Sequence, residues 1–261
     1  MELPPDIAVL LSRLRAGLVA RGDLVGLYVY GSLATGDFSP ACSDIDVIVM
    51  VEREPDQAAL GELARLHEAL ASSGGAAERL NCLYVPVEAG SDPDRLHNYW
   101  FGNRMTHWQL KVMTQAELTS VGVALYGHVP PPGIAPVPID DIQAVVYEEI
   151  TGYWRRIAGR RKLWLQDAWV DHALTVLPRA EAVLATGDLI SKSEAISRFA
   201  DFGVPAPLAQ EIRRRRDGQP VTLTAAGKLR RAYTARRIMN RGVRKLSSLG
   251  PPGQRQLEEP A

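Results

Sequence analysis

Apolar residues at the start of the chain recur with the i, i+3, i+4, i+7 step of an amphipathic helix. Ile7, Leu10, Leu11, Leu14 and Leu18 follow Pro5, and Gly22 is placed to end the element. Leu24 to Tyr30 then reads as a short buried strand stopped at Gly31. Ile45 to Val51 is a second strand rich in β-branched residues, and Leu80 to Val87 a third, with a helical period over Ala58 to Ser72 between them.

The pattern changes after Val129-Pro-Pro-Pro-Gly-Ile-Ala-Pro-Val-Pro138. Prolines at this density deny the backbone its donors and predict a semi-rigid linker or crossover. From about Asp140 to Arg244 the apolar period is helical and punctuated by Gly and Pro. Ser247 to Ala261 carries the composition of a disordered tail. The order of elements is that of an α/β domain followed by an all-helical one.

Composition narrows the class. The 261 residues are 46% hydrophobic, enough for a sizeable core, and 30 Lys/Arg offset 30 Asp/Glu. No global field favours a polyanion, although the basic residues crowd towards the C-terminal part. Two cysteines, Cys42 and Cys82, are too few for a disulfide framework or a zinc site. With no signal-peptide pattern and no long apolar run, a soluble cytoplasmic protein with no membrane partner is expected.

Candidate chemistry sits at the end of the first strand. Gly31 lets the backbone approach a ligand, Ser32 adds a hydroxyl, and the N–H groups of a helix beginning there favour an anion such as a triphosphate. Asp44 follows Ser32 by twelve residues, and Asp46 by two more. At a period of two these carboxylates share one face of the second strand, while Ile45 and Val47 enter the core. Two adjacent carboxylates repel unless a cation joins them, and Mg²⁺ is the hard ion suited to oxygen ligands and phosphates.

This arrangement resembles the nucleotidyltransferase superfamily, whose pattern is Gly-Ser, a gap, then Asp-x-Asp. More narrowly, the chain is similar over about residues 24 to 218 to the aminoglycoside adenylyltransferases that act on streptomycin and spectinomycin. Gly122 to Pro131 resembles the loop that ends that family's first domain. Pro178-Arg179-Ala180 and the run Thr186 to Ala195 resemble its second-domain helix pair. The resemblance implies that Lys192 and Arg179 reach the nucleotide phosphates. It also places Asn81 where the family carries the glutamate that deprotonates the acceptor hydroxyl. Asparagine cannot take that proton. His107, Glu148, Glu149, Asp171 and His172 are the substitutes available elsewhere, and Glu78 and Glu88 face away from Asn81 on a regular strand.

Other groups carry less. The five tryptophans, at 100, 108, 154, 164 and 169, are expected in the core or at a domain interface. Asp140, Asp141, Glu148 and Glu149 are placed either to line a pocket for a polycationic acceptor or to complement a helix dipole. Arg213 to Arg216 reads as a solvated helix face, or offers one member to the triphosphate. The arginines at 230, 231, 236, 237 and 241 recur at helical spacing with no aromatic platform, so no nucleic-acid partner is expected.

The expected architecture is an α/β nucleotidyltransferase domain over residues 1–135, a mixed sheet with helices. A C-terminal all-α helical bundle over 139–246 closes over the nucleotide, and a tail spans 247–261. The expected reaction is transfer of AMP from Mg-ATP to a hydroxyl of an aminoglycoside-like antibiotic, with release of pyrophosphate. Asp44 and Asp46 hold Mg²⁺, Gly31 and Ser32 grip the phosphates, and Lys192 and Arg179 offset their charge. Two alternatives stand beside it: a nucleotide-binding regulatory or antitoxin-like module that has lost transfer, or an enzyme acting on a protein or an unrelated metabolite.

Overall fold

The computed structural model describes residues 3–90 and 92–252. The chain divides into two compact units: Met1–Phe38 with Ser43–Val137, and Ser39–Cys42 with Pro138–Ala261.

The first unit is a six-stranded mixed sheet with helices. Helix α1 (Pro5–Val19) begins at a proline whose missing N–H costs nothing there, and its whole apolar stripe is buried. It leads into β1 (Leu24–Val29), the one-turn helix α2 (Gly31–Ala34) and β2 (Ile45–Val51). Helix α3 (Gln57–Ala71) is capped by Asp56, whose carboxylate accepts from the Ala59 N–H at 2.8 Å. Its crossover delivers β3 (Leu80–Pro86) parallel to β2. The antiparallel hairpin β4 (Leu96–Phe101) and β5 (Arg104–Gln109), helix α4 (Val112–Val121) and β6 (Val123–Tyr126) complete the unit. The strand order is β5-β4-β3-β2-β1-β6, and every neighbouring pair except β2–β3 is antiparallel.

The pleat sorts β2 and β3 between two cores. Val47, Val49, Val51, Cys82 and Tyr84 pack with the stripes of α1 and α3. Ile48, Met50, Leu83 and Val85 pack on the other face with Leu118 of α4. Asp46 and Asn81 continue this second row, paired directly across the strands.

Three strands are present beyond the three legible in the sequence. Gly102 and Asn103, at φ +57° and +58°, form the two-residue turn that closes β4–β5. Residues 123–126, within the segment resembling a loop, pair with β1 as an edge strand instead. The proline-rich stretch is irregular as expected, but it is strapped down. Ile134 is buried in the second core, Tyr28 donates to the His128 carbonyl at 2.6 Å, and Gln115 donates to the Ala135 carbonyl at 2.9 Å. Gly133 is required there: its φ is +75°, and a Cβ would stand 2.1 Å from the Val87 carbonyl oxygen.

The second unit is helical, with no strand among the described residues. Helix α5 (Ile139–Glu148) runs through a π-helical turn, Glu149–Trp154, into α6 (Arg155–Ile157). The long α7 (Asp167–Thr186) ends at Gly187 in the left-handed region. Ser191 and Glu194 form a reciprocal capping box at the start of α8 (Lys192–Ser197). Helices α9 (Ala206–Arg216) and α10 (Ala225–Ser247) follow. Arg231, 3% exposed in its side chain, pairs with Asp167 and Glu211 and ties α10 to α7 and α9. The helix continues through Ser247, where a tail was expected to begin, and residues 253–261 of that tail lie outside the described residues. No helix among the described residues is long and apolar enough to cross a membrane.

Candidate functional site

At the end of β1 the chain turns through Gly31, at φ +66°, straight into α2. A Cβ at this position would stand 3.2 Å from Oδ2 of Asp46, so the bare glycine leaves a cradle beside that carboxylate. The Tyr30 N–H donates to the Asp46 backbone carbonyl at 3.2 Å, which fixes the Gly-Ser turn against β2. Asp44 is exposed just before the strand and Asp46 is half-buried within it. Ser32 is the second residue of α2, and its carbonyl accepts from the Asp37 N–H at 2.9 Å. Gly31 and Asp46 thus lie together at this turn, with Ser32 next along the chain and Asp44 two residues before Asp46.

Asn81 is 6% exposed, and its Nδ2 donates to Oδ1 of Asp46 at 3.0 Å. It orients the acid and cannot act as a base. Two phenols border the same carboxylates. Burial, then the charge of Asp46, holds Tyr30 well above its ordinary value of 10.0. Tyr99 is raised by burial and then by Asp46 and Asp44. Both hydroxyls therefore stay protonated at neutral pH, as donors and not bases. Glu117 of α4, half-buried, also contributes to the rise at Tyr30. Sequence reasoning missed Tyr99 and Glu117 because β4 and α4 were not recognised. Tyr30 was visible as the last residue before Gly31.

The proposed substitutes for the base divide. His107 pairs with Asn98, and the ladder places Thr106, not His107, on the row of Tyr99 and Asn81. His107 thus lies on the opposite face of the sheet from Asp46. In the second unit Asp171 is held by both guanidinium nitrogens of Arg215 at 2.8 and 2.6 Å. Glu148 and Glu149 are exposed near the end of α5. His172 is lowered to about 4, by burial first and then by Lys192 and Arg179.

His172 and Lys192 line one cavity of the helical unit. Lys192 opens α8, and Arg179 donates from Nε to the Ile190 carbonyl at 3.0 Å, bracing the turn that leads there. A cavity of about 370 Å³ in this unit is lined by Cys42, Asp171, His172, Thr175, Lys192 and Arg216 among others. Beside His172, the rings of Trp154 and Trp169 lie 5.6 Å apart, and the buried Trp169 Nε1 has no acceptor among the described residues. Trp100, Trp154 and Trp164 are core residues, whereas Trp108 is 49% exposed on β5. The arginine run is not a simple solvated face: Arg213 reaches the Ile196 carbonyl, Arg214 the Pro220 carbonyl, Arg215 Asp171 and Glu211, and Arg216 the Ser193 hydroxyl.

A divalent cation fits the donor set of the first unit. Asp44 and Asp46 offer hard carboxylate oxygens beside a backbone gap, and Mg²⁺ is commonly held by one or two carboxylates with substrate phosphates completing its shell. No cluster of three or more acidic, His or Cys side chains poised for a metal occurs among the described residues.

Residues 11–100, which contain Gly31, Ser32, both aspartates and Asn81, match the family model of the nucleotidyltransferase domain. No curated protein matches the chain significantly. Among solved structures, the fold is similar to that of spectinomycin adenyltransferase AAD(9) from Enterococcus faecialis, crystallised with ATP and spectinomycin. The likeness has a TM-score of 0.62 at 16% identity and covers 90% of this chain and 98% of that one. Residues 11–100, with the Gly-Ser turn and the paired aspartates, therefore carry a nucleotidyltransferase domain, in a chain whose fold is similar to that of a spectinomycin adenyltransferase.

Proposed function

We propose that the protein transfers AMP from Mg-ATP to a hydroxyl of a small, amine-bearing acceptor of the aminoglycoside class. The observation that carries this reading is the fixed trio of Gly31, Asp46 and Asn81, in which a half-buried carboxylate is oriented beside an open backbone turn. The turn and Ser32 hold phosphate oxygens, and Asp44 and Asp46 hold Mg²⁺, which when bound neutralises charge on the phosphates. The acceptor oxygen attacks the α-phosphorus and forms the new P–O bond. The bond from that phosphorus to the bridging oxygen breaks, and pyrophosphate leaves with the electron pair.

The acceptor proton needs a base that Asn81 does not supply. Glu117 is the carboxylate assigned to this role, because α4 packs against α2 and against the face of the sheet that carries Asp46, and its charge acts on Tyr30. The AAD(9) structure contains ATP and spectinomycin, which favours a nucleotide and a small acceptor as the pair to test.

The amide at position 81 also supports a second reading, a nucleotide-binding module without transfer. One experiment separates them: ATP, Mg²⁺ and a panel of aminoglycosides that includes spectinomycin, followed by measurement of pyrophosphate. Acceptor-dependent release, reduced about 10²-fold or more by Glu117→Gln, is expected for the transferase. ATP binding without release on any acceptor would establish the binding module instead.

A further inference from the structure

The chain is neutral overall, yet one surface of the helical unit is not. Every charged residue of α10 is cationic. Arg231 and Lys245 are spent on ion pairs with Asp167, Glu211 and Glu181. Arg230, Arg237, Arg241 and Arg244 are exposed and make no ion pair or side-chain hydrogen bond among the described residues. Their spacing puts them on one stripe opposite the buried face of Ile238, Met239, Val243 and Leu246. At 1.5 Å per residue the stripe runs for about 21 Å.

A second basic ridge lies alongside. From Arg155 to Lys162 the chain presents five exposed cations and no acid. This segment is fastened to α10 by Arg236, whose Nε donates to the Ala158 carbonyl at 3.0 Å. Tyr233 stands within the stripe between Arg230 and Arg237 and is 63% exposed. It lies within the arginine run, where no aromatic platform was expected.

We propose that this face, α10 with the Arg155–Lys162 ridge, is a docking surface for a single-stranded nucleic acid. Arginines one helical turn apart meet successive phosphates, and the exposed tyrosine ring offers a stacking platform that any base can use. An anionic bilayer fits less well, because the apolar side of α10 is turned into the bundle and only Leu229 and Tyr233 project outward. The surface does not depend on nucleotidyl transfer, so its test stands or falls separately.

The test is fluorescence anisotropy of a labelled 20-nucleotide mixed-sequence RNA titrated with the full chain at 50 to 200 mM salt. Binding is expected at low salt, with a log–log salt slope of about −2.8 if four arginines each neutralise one phosphate. Arg230→Glu with Arg237→Glu and Arg241→Glu should weaken binding at least tenfold, and Tyr233→Ala about fivefold with the slope unchanged. The corresponding Gln substitutions decide the matter if charge reversal disturbs folding by circular dichroism. Absence of binding at 50 mM salt, or binding indifferent to these substitutions, overturns the proposal. So does stronger binding to phosphatidylserine vesicles or to a duplex of the same sequence than to the single strand.

Discussion

The amide nitrogen of Asn81 donates to Oδ1 of Asp46 at 3.0 Å, across the only parallel strand pair of the sheet. The position where the resemblance calls for a proton acceptor is occupied by a donor that steers an acid. Asn81→Ala should therefore leave Asp46 less well oriented and weaken Mg²⁺-dependent ATP binding. Asn81→Glu should weaken ATP binding most when metal is absent, since it sets two carboxylates about 3 Å apart with no cation between them. Calorimetric titration of each variant with ATP, with and without Mg²⁺, checks this. Affinities equal to the parent's would show that the amide does not position Asp46.

Gly31 should tolerate no side chain. Its φ of +66° is strained for alanine by about 1–2 kcal/mol, and the added Cβ meets Asp46 Oδ2 at 3.2 Å. Gly31→Ala is expected to lower Tm modestly and to abolish detectable nucleotide binding. A variant with unchanged ATP affinity would mean that phosphate does not approach this backbone.

Removal of the Arg231 guanidinium takes away the ion-pair partner of Asp167, while Glu211 keeps Arg215. Arg231→Met should destabilise the helical unit by about 1–2 kcal/mol, since Asp167 is 37% exposed, read from urea unfolding by tryptophan fluorescence. Burial acts to raise Asp167, but its hydrogen bond and charge contact with Arg231 prevail and hold it below its ordinary value of 3.8. The pair's contribution is thus present above that value and is lost as pH falls through the lower folded value. The variant's acid limb should be flatter than the parent's.

His67 gives an acid-sensitive element in the first unit. It is buried against Tyr84, with Nε2 and the phenol oxygen 2.7 Å apart, and burial lowers it to about 3. Between that value and 6.5 the unfolded chain binds a proton that the folded chain refuses. Stability conferred by the neutral ring is complete above 6.5 and declines as pH falls, by about 1.4 kcal/mol per unit. His67→Phe should remove that slope from the first unit, measured as urea midpoints from pH 7 to pH 4. An unchanged slope would assign the sensitivity to other groups.

The elements legible in the sequence were those whose apolar pattern is strong. The stripe of α1 and the β-branched run of β2 each have a single arrangement that buries them. Strand β4 was opaque because two of its buried positions are His97 and Asn98, and β6 has only four residues. Helix α4 buries Gln115 beside Ala116 and Leu118, which leaves no clean stripe to read. The same division governs the site. Gly31, Ser32, Asp44 and Asp46 announce themselves through local spacing. Tyr99 and Glu117 join them only through tertiary packing, which no period along the chain encodes.

The β2–β3 pairing has a consequence for how the protein acquires its chemistry. Hairpin β4–β5 can zip from its own two-residue turn, whereas Asp46 meets Asn81 only after helix α3 and its flanking loops have been closed into a ring. A nascent or truncated chain ending before Leu80 would display the full Gly-Ser and Asp-x-Asp signature with Asp46 unsteered. The chemistry of this molecule therefore waits on a contact that no local hairpin supplies, and any slow step in closing that ring delays activity more than it delays compaction.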